Sequence, residues 1–184
     1  MYSYKPLRNG DDIRLIELPP TGLASLGRKL DISILTFTHR DAPSYEALSY
    51  VWGDPSNPVA ITADGQNMHI GRNLYDALTH IQLEQQTRRL WVDAICINQG
   101  DNAEKSKQVS RMRDIYASAV KTLMWIGTQT ALPSPVLERI QRIREIEIQV
   151  PNTEWCPPVV LNFGLPIPGP PRIMFDDTTL DSSS

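Results

Sequence analysis

The chain has 184 residues, 41% hydrophobic and 21% charged, which is ordinary globular usage and enough to bury the core of one domain with an appendage. A formal charge of −3 gives no field that draws in nucleic acid or an anionic membrane, so no nucleic-acid partner is expected. No run of about 20 apolar residues is present to span a membrane, and MYSYKPLRNGDDIRLIEL lacks the apolar core of a signal peptide.

Two runs near the N-terminus read as strands, Ile13–Leu18 and Asp31–Phe37, separated by the breaker Pro19-Pro20-Thr21-Gly22. A third, Glu46–Trp52, is nearly continuous in apolar character, as suits a strand covered on both faces, and Gly53-Asp54-Pro55 stops it. Val59–Ile70 reads as a hairpin, because Asp64-Gly65 suits a two-residue turn with positive φ at both centres. A helix follows from about Asn73, read as its N-cap, with Leu74, Ala77, Leu78 and Ile81 on one face. Arg89–Asp93 reads as the next strand. A second helix starts after Asp101, where Asp-x-x-Glu places Glu104 at the third helical position, and its apolar face is Val109, Met112, Ile115, Tyr116 and Ala119. Thr122–Ile126 is a further strand ending at Gly127.

Strands alternating with helices of this length predict right-handed βαβ crossovers and a parallel sheet. Beyond it, Val136–Val150 reads as helical until Pro151. Residues 151–184 are too rich in proline to continue a sheet and read as an irregular tail. Cys96 and Cys156 match no metal spacing, and His39, His69 and His80 form no ligand-like cluster, so reduced thiols, structural or exposed histidines and no metal are expected.

The carboxylate in Leu90-Trp91-Val92-Asp93 calls for explanation, since an unpaired charge inside a covered sheet costs several kcal/mol. Asp93 is accommodated if it marks the carboxyl edge of its strand, where open α/β sheets bind ligands. Trp52 and Asp54 reach that same edge, and the Asn98-Gln99-Gly100-Asp101 loop returns over it. Trp52, Asp54, Asp93, Asn98, Gln99 and Asp101 are therefore the candidate ligand-binding residues, in a polar, acidic cleft with an aromatic wall. No glycine-rich phosphate loop is present. The alternative is structural: Asp93 and Asn98 fix loops, Asp101 with Glu104 caps a helix, and Trp52, Trp91 and Trp125 are core. Ala94-Ile95-Cys96-Ile97 is too apolar for a free loop and is either buried or an interface.

Tyr45–Asp54, then Leu90–Gln99, then Gln108-Val109, Met112, Ile115-Tyr116, Ala119 and Trp125-Ile126-Gly127 resemble the fungal heterokaryon incompatibility (HET) domain. The ordered similarity runs from about Tyr4 through Gly127. It implies non-self recognition linked to programmed cell death, protein partners and a cytoplasmic setting. HET domains are similar in turn to TIR domains. The fold implied is thus α/β, a TIR-like (flavodoxin-like) parallel sheet with helices plus a small antiparallel β hairpin region near the N-terminus. Residues 1–150 would form the HET domain, with its core at about 44–127. Because some TIR domains cleave NAD with a glutamate and others assemble as scaffolds, two mechanisms follow. In one, NAD is the substrate and Glu104 or Glu46 is catalytic; in the other no bond is broken. Two departures stand out: Lys105 where the family commonly has arginine after the glutamate, and only Glu138 near the place after the third strand where a TIR glutamate is expected. Family members are often much longer, so a truncated member is a third reading.

Overall fold

The computed structural model describes residues 1–22, 29–125 and 127, together with the backbone of 159–162. The predicted helix 136–150, Glu138 and Cys156 lie outside the described residues. Strands β1 (Asp12–Leu18) and β2 (Asp31–Thr38) are followed by a single 3₁₀ turn, His39–Asp41, and by β3 (Glu46–Tyr50). The hairpin is β4 (Pro58–Ala63) and β5 (Gln66–Gly71), and its turn has Asp64 at φ 47° and Gly65 at φ 73°, as the Asp-Gly pair requires. Then come α1 (Arg72–Ile81), β6 (Arg88–Trp91), a one-turn helix α2 (Asp93–Cys96), α3 (Asn102–Ser110), α4 (Met112–Ser118), β7 (Lys121–Trp125) and β8 (Val159–Asn162).

The strands form one sheet in the order β5-β4-β2-β1-β6-β3-β7-β8. Strands β6, β3, β7 and β8 run parallel to one another, and each interval from β3 to β6 and from β6 to β7 carries a helix, as the βαβ reading requires. The expected fold needs one correction. The N-terminal strands β1 and β2 pair antiparallel as expected, but they form no small separate region: β1 lies mid-sheet, antiparallel to both β2 and β6, with Ile16 opposite both Ile34 and Leu90. Its sequence explains this, since Ile13, Leu15, Ile16 and Leu18 are all buried and only a strand covered on both faces can use them. A second difference is β8, which pairs parallel with β7 inside the proline-rich stretch. Val159–Asn162 itself contains no proline, and an edge position tolerates the prolines before it.

Helix α1 buries Leu74, Ala77, Leu78 and Ile81, the predicted face. Its cap is Gly71 rather than Asn73. A Cβ at position 71 would meet the Trp52 carbonyl at 3.3 Å, a tight contact that glycine relieves where the loop after β3 passes over the start of α1. The single helix expected after Asp101 is broken at Arg111, whose φ of −104° and ψ of 0° form the corner between α3 and α4. The break shifts the inward face. Val109 is 50% exposed, and Gln108 is buried instead, donating Nε2–H to the Asp12 carbonyl at 2.9 Å. The Ala94–Ile97 run is mostly core: Ile95, Cys96 and Ile97 are buried against the rest of the domain. Trp91 and Trp125 are core as expected. Trp52 is not, being 51% exposed beside Val51 at 72%. Among the described residues no helix is long and apolar enough to cross a membrane.

Candidate functional site

The carboxyl ends of β3 and β6 deliver Trp52 and Asp93 to one place, for a simple reason. Parallel neighbours end on the same side, and Ala47 pairs with Trp91, so the residues that follow each strand emerge together. The indole Nε1–H of Trp52 donates to Asp93 Oδ2 at 3.0 Å, and the Ala94 amide donates to Asp93 Oδ1 at 2.7 Å. Asp93 thus opens α2 with its charge against the helix N-terminus and escapes burial. Gln99 closes over it from the next loop, its Nε2–H reaching the Asp93 carbonyl at 3.1 Å. The Asp93 charge and burial together raise two nearby phenols, Tyr50 and Tyr116; burial is the larger cause in each, and Tyr116 is pushed up to about 12. Tyr116 donates to the Leu48 carbonyl at 3.1 Å and meets Trp91 edge-on at 5.3 Å.

The wall behind Trp52 is built by Asn73, which sequence reasoning took for a cap. Its Nδ2 donates to the Val51 carbonyl at 2.5 Å, and its Oδ1 accepts from Trp125 Nε1 at 2.8 Å. One amide from the first turn of α1 therefore ties the ends of β3 and β7 together. An asparagine at the start of a predicted helix signals a polar tether of either kind, and only the neighbouring strands decide which.

The other sequence candidates are committed to structure. Asp101 is the N-cap of α3, accepting from the amides of Ala103 at 2.9 Å and Glu104 at 3.1 Å. Asn98 folds its Oδ1 onto the Gly100 amide at 3.1 Å. Asp54 is committed to Ser56, accepting from its amide at 2.8 Å and its hydroxyl at 2.7 Å, and those bonds hold its carboxyl below the usual range. Glu104 points inward. Oε1 accepts from Arg14 Nη1 at 2.6 Å and from the Asn98 amide at 2.7 Å, while Oε2 accepts from Arg14 Nη2 at 3.0 Å. Arg14 is 2% exposed and Glu104 9%. The same guanidinium also reaches the carbonyls of Cys96 at 3.0 Å and Lys5 at 2.7 Å, and stacks 5.0 Å from the Tyr4 ring centroid. Arg14 was missed as a site-shaping residue, though its signal was present: an arginine among Ile13, Leu15 and Ile16 has to be paired.

Glu46 is not at this rim at all. It opens β3, some four residues and about 13 Å of strand before the carboxyl end. There it lies between Arg88 Nε and Lys121 Nζ, each at 2.7 Å, the first in contact but off the hydrogen-bond axis. The structure therefore gathers Trp52, Asp93 and Gln99, sets Asn98, Asp101 and Glu104 behind them as supports, and separates Glu46. Two cavities, of about 490 and 990 Å³, take in neither Trp52 nor Asp93. Cys96 is a buried thiol pushed up to about 12 by burial, which removes it as a nucleophile at neutral pH.

The family model described as "Heterokaryon incompatibility protein (HET)" matches residues 45–160, from the lead into β3 to within β8. The chain is 34% identical over 159 residues to "Heterokaryon incompatibility protein 6, OR allele" of Neurospora crassa, covering 78% of this chain and 23% of that protein. It thus spans about a quarter of the relative's length. No solved structure matches it significantly. With a family model matching well over half of its length, the chain belongs to the heterokaryon incompatibility family.

Proposed function

We propose that this chain serves heterokaryon incompatibility as a module of non-self recognition that leads to programmed cell death, and that it acts in the cytosol through protein contacts. The printed name of the 34% identical relative supports the biological role. One observation carries the mechanism: both oxygens of Glu104 are held by the buried Arg14 guanidinium, which leaves no free base or charge stabiliser there. Glu46 is likewise spent between Arg88 and Lys121. What the carboxyl edge offers instead is an open ledge. Val51 and Trp52 stand out from it, Trp52 is pinned by Asp93, and Gln99, Asn98 and Asp101 brace the floor. A half-exposed tryptophan fixed by a hydrogen bond presents its ring face at little entropic cost, which is how interface anchors work.

Residues 1–150 make up the module on this reading, and its centre is TIR-like. The support is topological: the parallel strands lie in the order β6-β3-β7, second, first and third along the chain, which is the order at a flavodoxin-type switch point. The test is induced expression of the full chain in a fungal host, following viability and cellular NAD together. Death with NAD intact, lost in Trp52→Ala, is the expected result. Nicotinamide release by the purified protein, abolished by Asp93→Asn, would replace the contact mechanism with dinucleotide cleavage at the same ledge.

A further inference from the structure

On the side of the sheet away from the ledge, at the amino end of β3, three groups meet whose proton count admits only one arrangement. Tyr45 donates its single hydroxyl proton to the Ile115 carbonyl at 2.6 Å. The same oxygen lies 3.4 Å from His39 Nε2, so that nitrogen has to carry the proton and donate it. The other ring nitrogen, Nδ1, lies 3.4 Å from Arg111 Nη2. A guanidinium only donates, so Nδ1 has to be bare. All contacts are satisfied by the neutral Nε2–H tautomer and by no other form of the ring.

The position matters because Arg111 is the corner between α3 and α4. Its Nη1 donates to the Gly10 carbonyl at 2.6 Å and its Nη2 reaches the Asp11 carbonyl at 3.3 Å, so the corner is clamped to the segment leading into β1. Helix α3 buries no apolar side chain and is held by Glu104, Gln108 and this clamp. His39 is tied to the same segment through its amide, which donates to the Asp11 carbonyl at 2.8 Å. The groups facing the ring are Arg111 and Asp114 from the corner and α4, Asp11 from the lead into β1, and Tyr45 from the lead into β3; Arg40 and Asp41 share its own turn. A cavity of about 490 Å³ beside the ring gives it access to solvent protons.

We propose that His39 is an acid-operated latch: protonation at Nδ1 sets an N–H against the Arg111 guanidinium and releases the α3–α4 corner from the segment ahead of β1. Burial, and secondarily the Arg111 charge, lower the pKa of His39, outweighing Asp114 and Asp11. The neutral ring is thus the folded form at neutral pH. A base whose folded pKa is depressed gives stability that is complete above its unfolded value of about 6.5 and is lost as pH falls from there through the folded value. The latch therefore opens in acid.

The test uses the full chain. Long-range ¹H–¹⁵N correlation across the imidazole reads tautomer and titration directly, and hydrogen exchange reads the corner. Expected are an Nε2–H ring at neutral pH, a midpoint below about 6.5, and protection of α3–α4 amides, corrected for intrinsic rates, that falls roughly tenfold between neutral and acid pH, the size of one charge-assisted hydrogen bond. His39→Asn, whose amide oxygen replaces Nδ1 as acceptor, should hold that protection constant. A proton on Nδ1 at neutral pH, a midpoint at or above the ordinary value, or the same loss of protection in His39→Asn would each overturn the proposal. The tautomer and midpoint are read on the unaltered protein, so the test survives a variant that does not fold.

Discussion

Replacing Glu104 with glutamine separates a structural glutamate from a catalytic one. The change keeps volume and leaves Oε1 in place for the Asn98 amide, but it puts an NH₂ where Oε2 accepted from Arg14 Nη2 at 3.0 Å. Two donors then face each other, and a guanidinium 2% exposed loses its only carboxylate among the described residues. Its remaining acceptors, the carbonyls of Cys96 and Lys5, carry no net charge. Removing one member of a buried pair costs about 3–5 kcal/mol, a large part of the 5–15 kcal/mol typical of a whole domain. For a chain of this size that lowers the melting temperature by roughly 6–20 °C. Urea unfolding followed by tryptophan fluorescence measures the loss, and an Arg14→Met/Glu104→Met double variant should recover much of it because no buried charge is stranded. A Glu104→Gln protein within about 1 kcal/mol of wild type would refute the reasoning and return Glu104 to the list of catalytic candidates.

Glu46→Gln strands Arg88 in the same way, and the loss should fall near the lower end of roughly 3–5 kcal/mol because Lys121 reaches solvent; thermal unfolding by circular dichroism checks it. Asn73→Ala frees the Val51 carbonyl and leaves the Trp125 indole N–H without its acceptor, costing about 1–3 kcal/mol, with a change in tryptophan emission as the accompanying signal. Trp52→Ala should leave urea stability within about 1 kcal/mol, since the ring is half exposed, so any loss of killing by this variant reports the ledge and not the fold. In a Cys156→Ser background, Cys96 should react with a thiol reagent at least about a hundredfold more slowly in the native protein than in urea, because burial keeps it protonated and inaccessible.

Much of the sheet was legible because hydrophobic period and turn chemistry agree. Glu46–Trp52 and Arg89–Asp93 read as strands, and Asp64-Gly65 announced its hairpin. The meeting of Trp52 with Asp93 followed from the expectation that both strands end on one side. Illegible were the features that depend on a partner far along the chain. That β1 sits between β2 and β6 is decided by pairing across 74 residues, Ile16 with Leu90, which no local pattern encodes. Val109 outside and Gln108 inside follow from a backbone break at Arg111, held by the distant Gly10 and Asp11 carbonyls. Glu104 reads from the sequence as a helix cap or a catalytic group, and its pairing rests on Arg14, 90 residues upstream.

The central position of β1 also bears on how this domain can be cut. The family match begins at residue 45, after β1 has ended at Leu18. A protein trimmed to that matched span would leave β6 with a bare backbone edge where Ile16, Glu17 and Leu18 now pair, and a buried Glu104 without its cation. The first 18 residues are thus the keystone of the fold, supplied from outside the span that the family model matches.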